Sequence, residues 1–291
     1  MDNFRGAILM TIAMFGFALE DMLIKLLSVQ MPTWQIILLL GIGGAAAIGC
    51  FFYIKGERLL PSSAFEGIVL LRNLAEAIAT LSFVTALSLI PLSTAAAILQ
   101  ASPLIVTVGA AVFLGESVGW RRWSVTSIGF VGVLMIVRPA TDEFDAQSLF
   151  AVIGAIGLAA RDLATRRVSR STSSLHLSFL GFLTMIPTAA IMASIWTAPP
   201  VWPQGHAQFY ILILVPLSIL AYNSIVAAMR VGDVSFVTPF RYTRILFALL
   251  LGISVFQERP DAFTLIGAGI VVASGLFILW REQRLKFATT P

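Results

Sequence analysis

The sequence predicts an all-α membrane protein of ten transmembrane helices, arranged as two five-helix repeats of inverted topology. Three observations carry that expectation. Of the 291 residues, 58% are hydrophobic and only 12% charged, with a mean hydropathy of +0.92, which is too apolar for a chain whose surface meets water. The apolar runs are ~18–22 residues long without period-two alternation, the length of a helix that crosses the hydrocarbon layer and not the pattern of a barrel strand. The lysines and arginines between those runs fall mainly on one side. A span in lipid must satisfy its own backbone N–H and C=O groups, which leaves the helix as its form.

Hydropathy and breakers place the helices at 5–27, 34–54, 66–89, 92–114, 121–138, 147–168, 175–197, 208–229, 235–256 and 262–281. The first runs on through Glu20, Asp21 and Lys25 to Leu27 and has no small-x-small cleavage site, so it reads as a span rather than a secretory signal. The second follows Pro32 and repeats Gly41, Ala45 and Gly49 at every fourth residue, a close-packing face within the chain or between chains. The third follows Pro61, and the fourth follows Pro91 and contains Pro103. The fifth runs from Arg121-Arg122 to Pro139, and the acidic loop Thr141-Asp142-Glu143-Phe144-Asp145 leads into the sixth. The seventh starts near His176, read as an interfacial group, and contains Pro187; the eighth follows the Pro199–Pro203 cluster and contains Pro216. The ninth carries Arg241 and Arg244, and Pro260 precedes the tenth. Prolines at junctions lose least by lacking a donor, whereas Pro103, Pro187 and Pro216 are expected to kink their helices.

With the N-terminus inside, the inner segments hold Arg5, Lys55, Arg58, Arg121, Arg122, Arg166, Arg167, Arg170, Arg230, Arg281, Arg284 and Lys286, while the outer loops hold only Arg138 and Arg259, with Lys25 near the outer end of the first helix. Cytoplasmic loops carry the basic excess. This predicts a multi-pass protein of the bacterial inner membrane with both termini cytoplasmic. It also accounts for the net charge of +4 without nucleic acid as a partner. A shift of 142 positions superposes Ser82 on Ser224, Val84 on Val226, Ala86 on Ala228, Ser93 on Ser235 and Glu116 on Glu258. Five spans per copy make the second copy enter from the opposite side, with halves at 1–140 and 146–291. Glu116 and Glu258 read as end-of-helix elements of that repeat.

Charged side chains at mid-depth persist only when paired or lining a wet cavity. The acids are Glu20, Asp21, Glu76 and Asp162, and the bases Lys25, Arg72, Arg161, Arg241 and Arg244. Asp21 and Lys25 share a helix face, as do Arg72 and Glu76, with i,i+4 geometry for an ion pair. Arg161 and Asp162 are ~100° apart around their helix and are not expected to neutralise each other simply. Arg241 and Arg244 lie three apart on one face of the ninth helix. They need counter-charge from acids such as Glu20 or Asp162, or from a substrate carboxylate or phosphate, which the guanidinium fork grips bidentately. Gln100, Tyr222, Asn223 and Tyr242 add hydrogen-bonding and stacking groups. Cys50, the single cysteine, reads as a packing residue, and two histidines with one cysteine make a metal site unlikely. No zincin, nucleophile-elbow or phosphate-loop pattern marks an enzyme, intramembrane catalysis being the competing class.

Fragments through nearly the whole chain resemble the EamA-type branch of the drug/metabolite transporter superfamily. They are Phe17-Ala-Leu-Glu-Asp21 with Lys25, Arg72, Pro91-Leu-Ser-Thr-Ala-Ala-Ala, Ala101-Ser-Pro-Leu-Ile, Gly115-Glu116, Arg121-Arg-Trp123, Gly129-Phe-Val-Gly132 and Ile136-Val-Arg-Pro139. The second half supplies Pro239-Phe-Arg-Tyr-Thr-Arg-Ile-Leu-Phe247, Glu258-Arg-Pro-Asp261, Ile266-Gly267 and Ser274-Gly275. The resemblance implies ten helices in two inverted halves around a central cavity, and it leaves the substrate open. The expectation is a secondary transporter, without cofactor, for a small anionic or zwitterionic metabolite such as an amino acid. A vitamin, nucleoside or cofactor-like solute is the alternative. Glu20, Arg72, Gln100, Arg161, Tyr222, Asn223, Arg241, Tyr242 and Arg244 are assigned to the substrate, and Asp21, Lys25, Glu76 and Asp162 to coupling or gating. Proton coupling through Glu20 or Asp21 and facilitated transport both remain open, as do monomer and homodimer. The assignment rests on five buried bases against four acids.

Overall fold

The computed structural model describes residues 2–113, 120–138, 145–169, 172–231 and 238–288. Their helices are α1 (Asp2–Ser28), α2 (Thr33–Lys55), α3 (Gly67–Leu89), α4 (Leu92–Leu99), α5 (Ser102–Phe113), α6 (Trp120–Val137), α7 (Ser148–Arg167), α8 (Ser174–Ile195), α9 (His206–Val231), α10 (Thr243–Phe256) and α11 (Ala262–Ala288). Short 3-10 turns occupy Ser62–Phe65 and Thr238–Tyr242. Among the described residues, seven helical stretches are long and apolar enough to cross a membrane, with shorter apolar stretches at Trp123–Val137 and Ala262–Ser274. Glu116 and most of the acidic loop lie outside the described residues.

Two expected spans are interrupted. The fourth breaks at Gln100–Ala101 into α4 and α5. The break follows from Pro103, which cannot donate to the carbonyl four residues back and is tolerated in the first turn of α5. Within its described residues the ninth runs as the 3-10 turn Thr238–Tyr242, with Pro239 in its first turn, and then as α10. Pro187 and Pro216, by contrast, sit in α8 and α9, which stay helical through them. Both prolines are exposed on the outward side of their helices.

The extensive helix contacts join early helices to late ones: α1 packs on α9, α2 on α8, α3 on α7, α4 on α10 and α6 on α11. Glycine permits several of these approaches. A Cβ at Gly132 would stand 2.8 Å from the carbonyl oxygen of Gly267, and one at Gly267 2.6 Å from that of Gly132. Similarly, Gly16 meets Ala221 and Gly157 meets Ala79. The Gly41–Ala45–Gly49 face of α2 is occupied within the chain, since Gly41 lies against Met185 and Gly49 against Phe179 of α8. Cys50 is exposed instead of packed.

Helix ends are satisfied across the bundle. Lys25 of α1 donates from Nζ to the carbonyls of Leu87 (3.1 Å) and Ile90 (2.5 Å), closing the carbonyl-rich end of α3. Glu258 accepts from Leu92 N (2.6 Å), Ser93 N (3.0 Å) and Ser93 Oγ (2.6 Å), so a carboxylate caps the amide-rich end of α4. Gln257 adopts the left-handed conformation (φ 53°) that ends α10. The turn sets the Glu258 carboxylate on Gly252, where a Cβ would stand 2.5 Å from its Oε2. Further along, Asp261 accepts from Thr264 N at 2.8 Å and pairs with Arg138, joining the end of α6 to the start of α11.

Candidate functional site

An unbroken row of ionic contacts runs from α3 through α7 to the 3-10 turn before α10. Arg72 reaches Glu76 one turn on (Nη2–Oε2 2.9 Å). Arg161 donates to Glu76 (3.2 Å) and to Asp162 from both Nε (3.0 Å) and Nη2 (2.8 Å). Arg241 ends the row with Nη2 3.6 Å from Asp162 Oδ2. Side-chain exposure rises steadily along it, from 2% at Arg72 through 11% at Glu76, 19% at Arg161 and 25% at Asp162 to 30% at Arg241. One end is therefore sealed and the other open.

The open end does not face lipid. On α7 the exposed residues Leu149, Ile153, Ile156 and Ala160 form one stripe, as a helix turning ~100° per residue requires for a lipid-facing side. Arg161 and Asp162 project from the opposite half of that helix. Their accessibility thus belongs to a space between helices, where an ionised group costs least.

A second ionic contact lies beside the row. Arg244 donates to Asp21 from Nε (3.1 Å to Oδ2) and from Nη2 (2.9 Å to Oδ1 and 2.7 Å to Oδ2). Its guanidinium lies over the rings of Phe17 (5.3 Å) and Phe83 (5.6 Å), where the ring quadrupoles favour a cation. Glu20, adjacent to Asp21, has Ser218 and Arg244 as its polar neighbours. No ion pair of Glu20 occurs among the described residues.

Several sequence expectations are corrected. Asp21 and Lys25 do not pair, because Asp21 is gripped by the Arg244 fork and Lys25 is spent on the end of α3. Arg161 and Asp162 do bond directly. Their Cβ atoms diverge, but three methylenes let the guanidinium swing back onto its neighbour. Arg241 and Arg244 do not lie on one face of one helix: Arg241 sits in the 3-10 turn and reaches Asp162 of α7, while Arg244 in α10 reaches Asp21 of α1. Asn223 is exposed on the outward stripe of α9 with Phe209, Leu212 and Leu220, away from the row. The Arg72–Glu76 pair forms as expected.

Among the uncharged groups, Gln100 donates to the Arg241 carbonyl (3.3 Å), so the break in the fourth span holds the turn that carries Arg241. Tyr222 is an electrostatic neighbour of Arg161. Tyr242 is 4% exposed and its hydroxyl has no hydrogen-bond partner among the described residues. His176 stacks on Phe52 at 4.2 Å and bonds Ser173 and the Arg58 carbonyl, in keeping with an interfacial role. Sequence reasoning missed Phe83 as a neighbour of Arg244, for which no periodicity signals. It also left Glu258 out of the charge balance, although the 142-residue repeat had marked it.

The chain matches the model of the EamA-like transporter family over residues 4–138 and 147–280. It is 24% identical to the S-adenosylmethionine uptake transporter of Rickettsia felis, covering 91% of this chain and 89% of that one. It is 29% identical to the riboflavin transporter of Vibrio cholerae, covering 97% and 95%. A solved crystal structure superposes with a TM-score of 0.62 at 18% identity, covering 94% of this chain and 98% of the other, so the two share a fold.

Proposed function

This chain belongs to the EamA-like transporter family, within the drug/metabolite transporter superfamily, and on that premise we propose that it is a secondary carrier for a small, polar, cofactor-like metabolite. The observation that carries the proposal is the row Arg72–Glu76–Arg161–Asp162–Arg241, sealed at one end and open to the space between helices at the other. Charges kept at that depth in lipid serve a solute that passes them. The relatives named for S-adenosylmethionine and riboflavin favour a cofactor-like solute over a plain amino acid, which is the second reading.

Alternating access between halves 1–140 and 146–291 is the mechanism proposed. Two features support ten spans related by inversion. Exchanging each span with the one five places along turns the α1–α9 packing into the α7–α3 packing, and leaves α2–α8, α4–α10 and α6–α11 unchanged. Ala79 and Ala221, each meeting a glycine of its partner helix, are 142 positions apart, the repeat read from sequence. Interrupted helices at corresponding places in two halves commonly mark the binding site of such carriers. The breaks at Gln100 and Tyr242 stand in that relation.

On this reading the termini are cytoplasmic and the membrane is the bacterial inner one, as the basic loops favour. Glu20 is the proton-coupling group, since Asp21 is committed to Arg244. The test is reconstitution of the chain in liposomes with labelled S-adenosylmethionine and riboflavin. Saturable uptake of either is the expected result, and uptake of neither above protein-free vesicles sinks the cofactor-like assignment of the solute.

A further inference from the structure

Among the described residues, five bases face five acids once Glu258, in the loop after α10, is counted. Arg72, Arg161, Arg241 and Arg244 are matched by Glu20, Asp21, Glu76 and Asp162, and Lys25 has Glu258 as its charged neighbour. The surplus cation that would call for an anionic solute is cancelled by a residue from the loop after α10. Among the described residues the charges match when Glu20 is ionised, and a head group of zero net charge leaves that match intact.

One pair in this interior differs from the rest. The other ionic contacts of the two clusters span 2.7–3.2 Å, while Arg241 and Asp162 stand 3.6 Å apart and are the two most exposed members of the row. Asp162 gives Oδ1 to Arg161 twice, which leaves Oδ2 for Arg241 alone. Arg241 has five donors and no other acidic contact among the described residues. Gln100 holds its backbone from behind, so the turn is fixed and the guanidinium remains available.

We propose that Arg241 and Asp162 form a clamp for a zwitterionic α-amino-acid head group, Arg241 taking the carboxylate and Asp162 Oδ2 the ammonium. The exchange is neutral at every step. Each protein group trades one counter-charge for another, so neither is left unpaired at low dielectric, the condition that makes a buried charge costly. An anion without an ammonium would neutralise Arg241 while facing Asp162. An uncharged solute would gain nothing by parting the pair. The Tyr242 hydroxyl, buried and without a partner in the next position along, is a further donor beside the head group. The clamp rests on the carrier reading but narrows it to one class of solute.

The test uses the full chain in proteoliposomes with four probes: S-adenosylmethionine, a sulfonium cation with a zwitterionic head group, a pool of L-amino acids, nicotinate as an anion, and riboflavin as an uncharged heterocycle. Uptake of a zwitterionic probe is expected, with KM raised about tenfold or more by Asp162→Asn and by Arg241→Gln, the loss of one charge-assisted hydrogen bond. Asp162→Glu should recover most of it. Each variant is melted in detergent, and where Asp162→Asn fails to fold the Arg241→Gln result decides. Removing the carboxylate, in decarboxylated S-adenosylmethionine, should weaken uptake as Arg241→Gln does. Uptake of riboflavin or nicotinate alone overturns the clamp and leaves the carrier reading standing. Unchanged KM for zwitterions in the folded variants also overturns it. Uptake of no probe removes the carrier reading, and the clamp with it.

Discussion

Arg244 of α10 and Asp21 of α1 are separated by 222 intervening residues in the chain and joined by three hydrogen bonds of 2.7–3.1 Å, with Phe17 and Phe83 beside the guanidinium. Neither charge has another ion-pair partner among the described residues, and Asp21 is almost wholly buried. The pair thus ties the first helix to the last third of the chain, and it is built as a unit.

Arg244→Ala therefore acts on folding before it acts on transport. It leaves the Asp21 carboxylate buried and uncompensated, a loss of about 3–5 kcal/mol where one partner of a buried pair is removed. A thermal melt in detergent should show a large downward shift. The double variant Asp21→Asn/Arg244→Met should recover a good part of it, because no lone charge then remains. A single variant that melts like the wild type would refute this.

Glu258→Gln should destabilise the start of α4. The charge at the amide end and the charge-assisted bonds to Leu92 and Ser93 together stand for about 1–2 kcal/mol. Ser93→Ala removes only the hydroxyl partner and should cost less. Ranking the two melting shifts tests the assignment, and a larger effect for Ser93→Ala would argue against the cap.

The α6–α11 crossing gives a steric prediction with its own control. Gly267→Ala places a methyl within 2.6 Å of the Gly132 carbonyl oxygen, and backbone cannot yield as a side-chain end does, so a loss of about 1–3 kcal/mol is expected. Gly269→Ala, with open space around its Cβ, should melt like the wild type. Equal behaviour of the two would contradict the crossing.

If Glu20 couples uptake to protons, Glu20→Gln should abolish accumulation driven by a pH gradient while sparing exchange of labelled for unlabelled solute. Its polar neighbours Asp21, Arg244 and Ser218 are unchanged by that substitution. Gradient-driven uptake that survives in the variant removes Glu20 from the coupling step.

Asn223→Leu should leave uptake and stability within error of the wild type. The residue lies on the outward stripe of α9 with Phe209 and Leu220, where an apolar side chain meets lipid at least as well. Lost uptake in a folded variant would return Asn223 to the site.

The all-helical membrane class, most of the apolar stretches and the identity of the charged groups were legible in the chain itself, because lipid imposes a length and a polarity on every crossing segment and leaves few ways to break the rule. Helix α3, for instance, runs Gly67–Leu89 where hydropathy alone places 66–89. Two copies were legible as well, and the family model matches twice, over 4–138 and 147–280. Partner choice was not. Asp21 shares a helix face with Lys25 yet bonds Arg244, and Arg161 and Asp162 diverge along α7 yet touch. Ion pairing is settled by which helices lie side by side and by where long side chains can swing, and neither quantity is local in sequence. Only the tertiary structure brought Glu258 against the start of α4 and near Lys25. That contact gives Lys25 an acidic neighbour that helix spacing alone did not indicate, because the field inside a membrane protein depends on where charges stand in space and not on how many a chain carries.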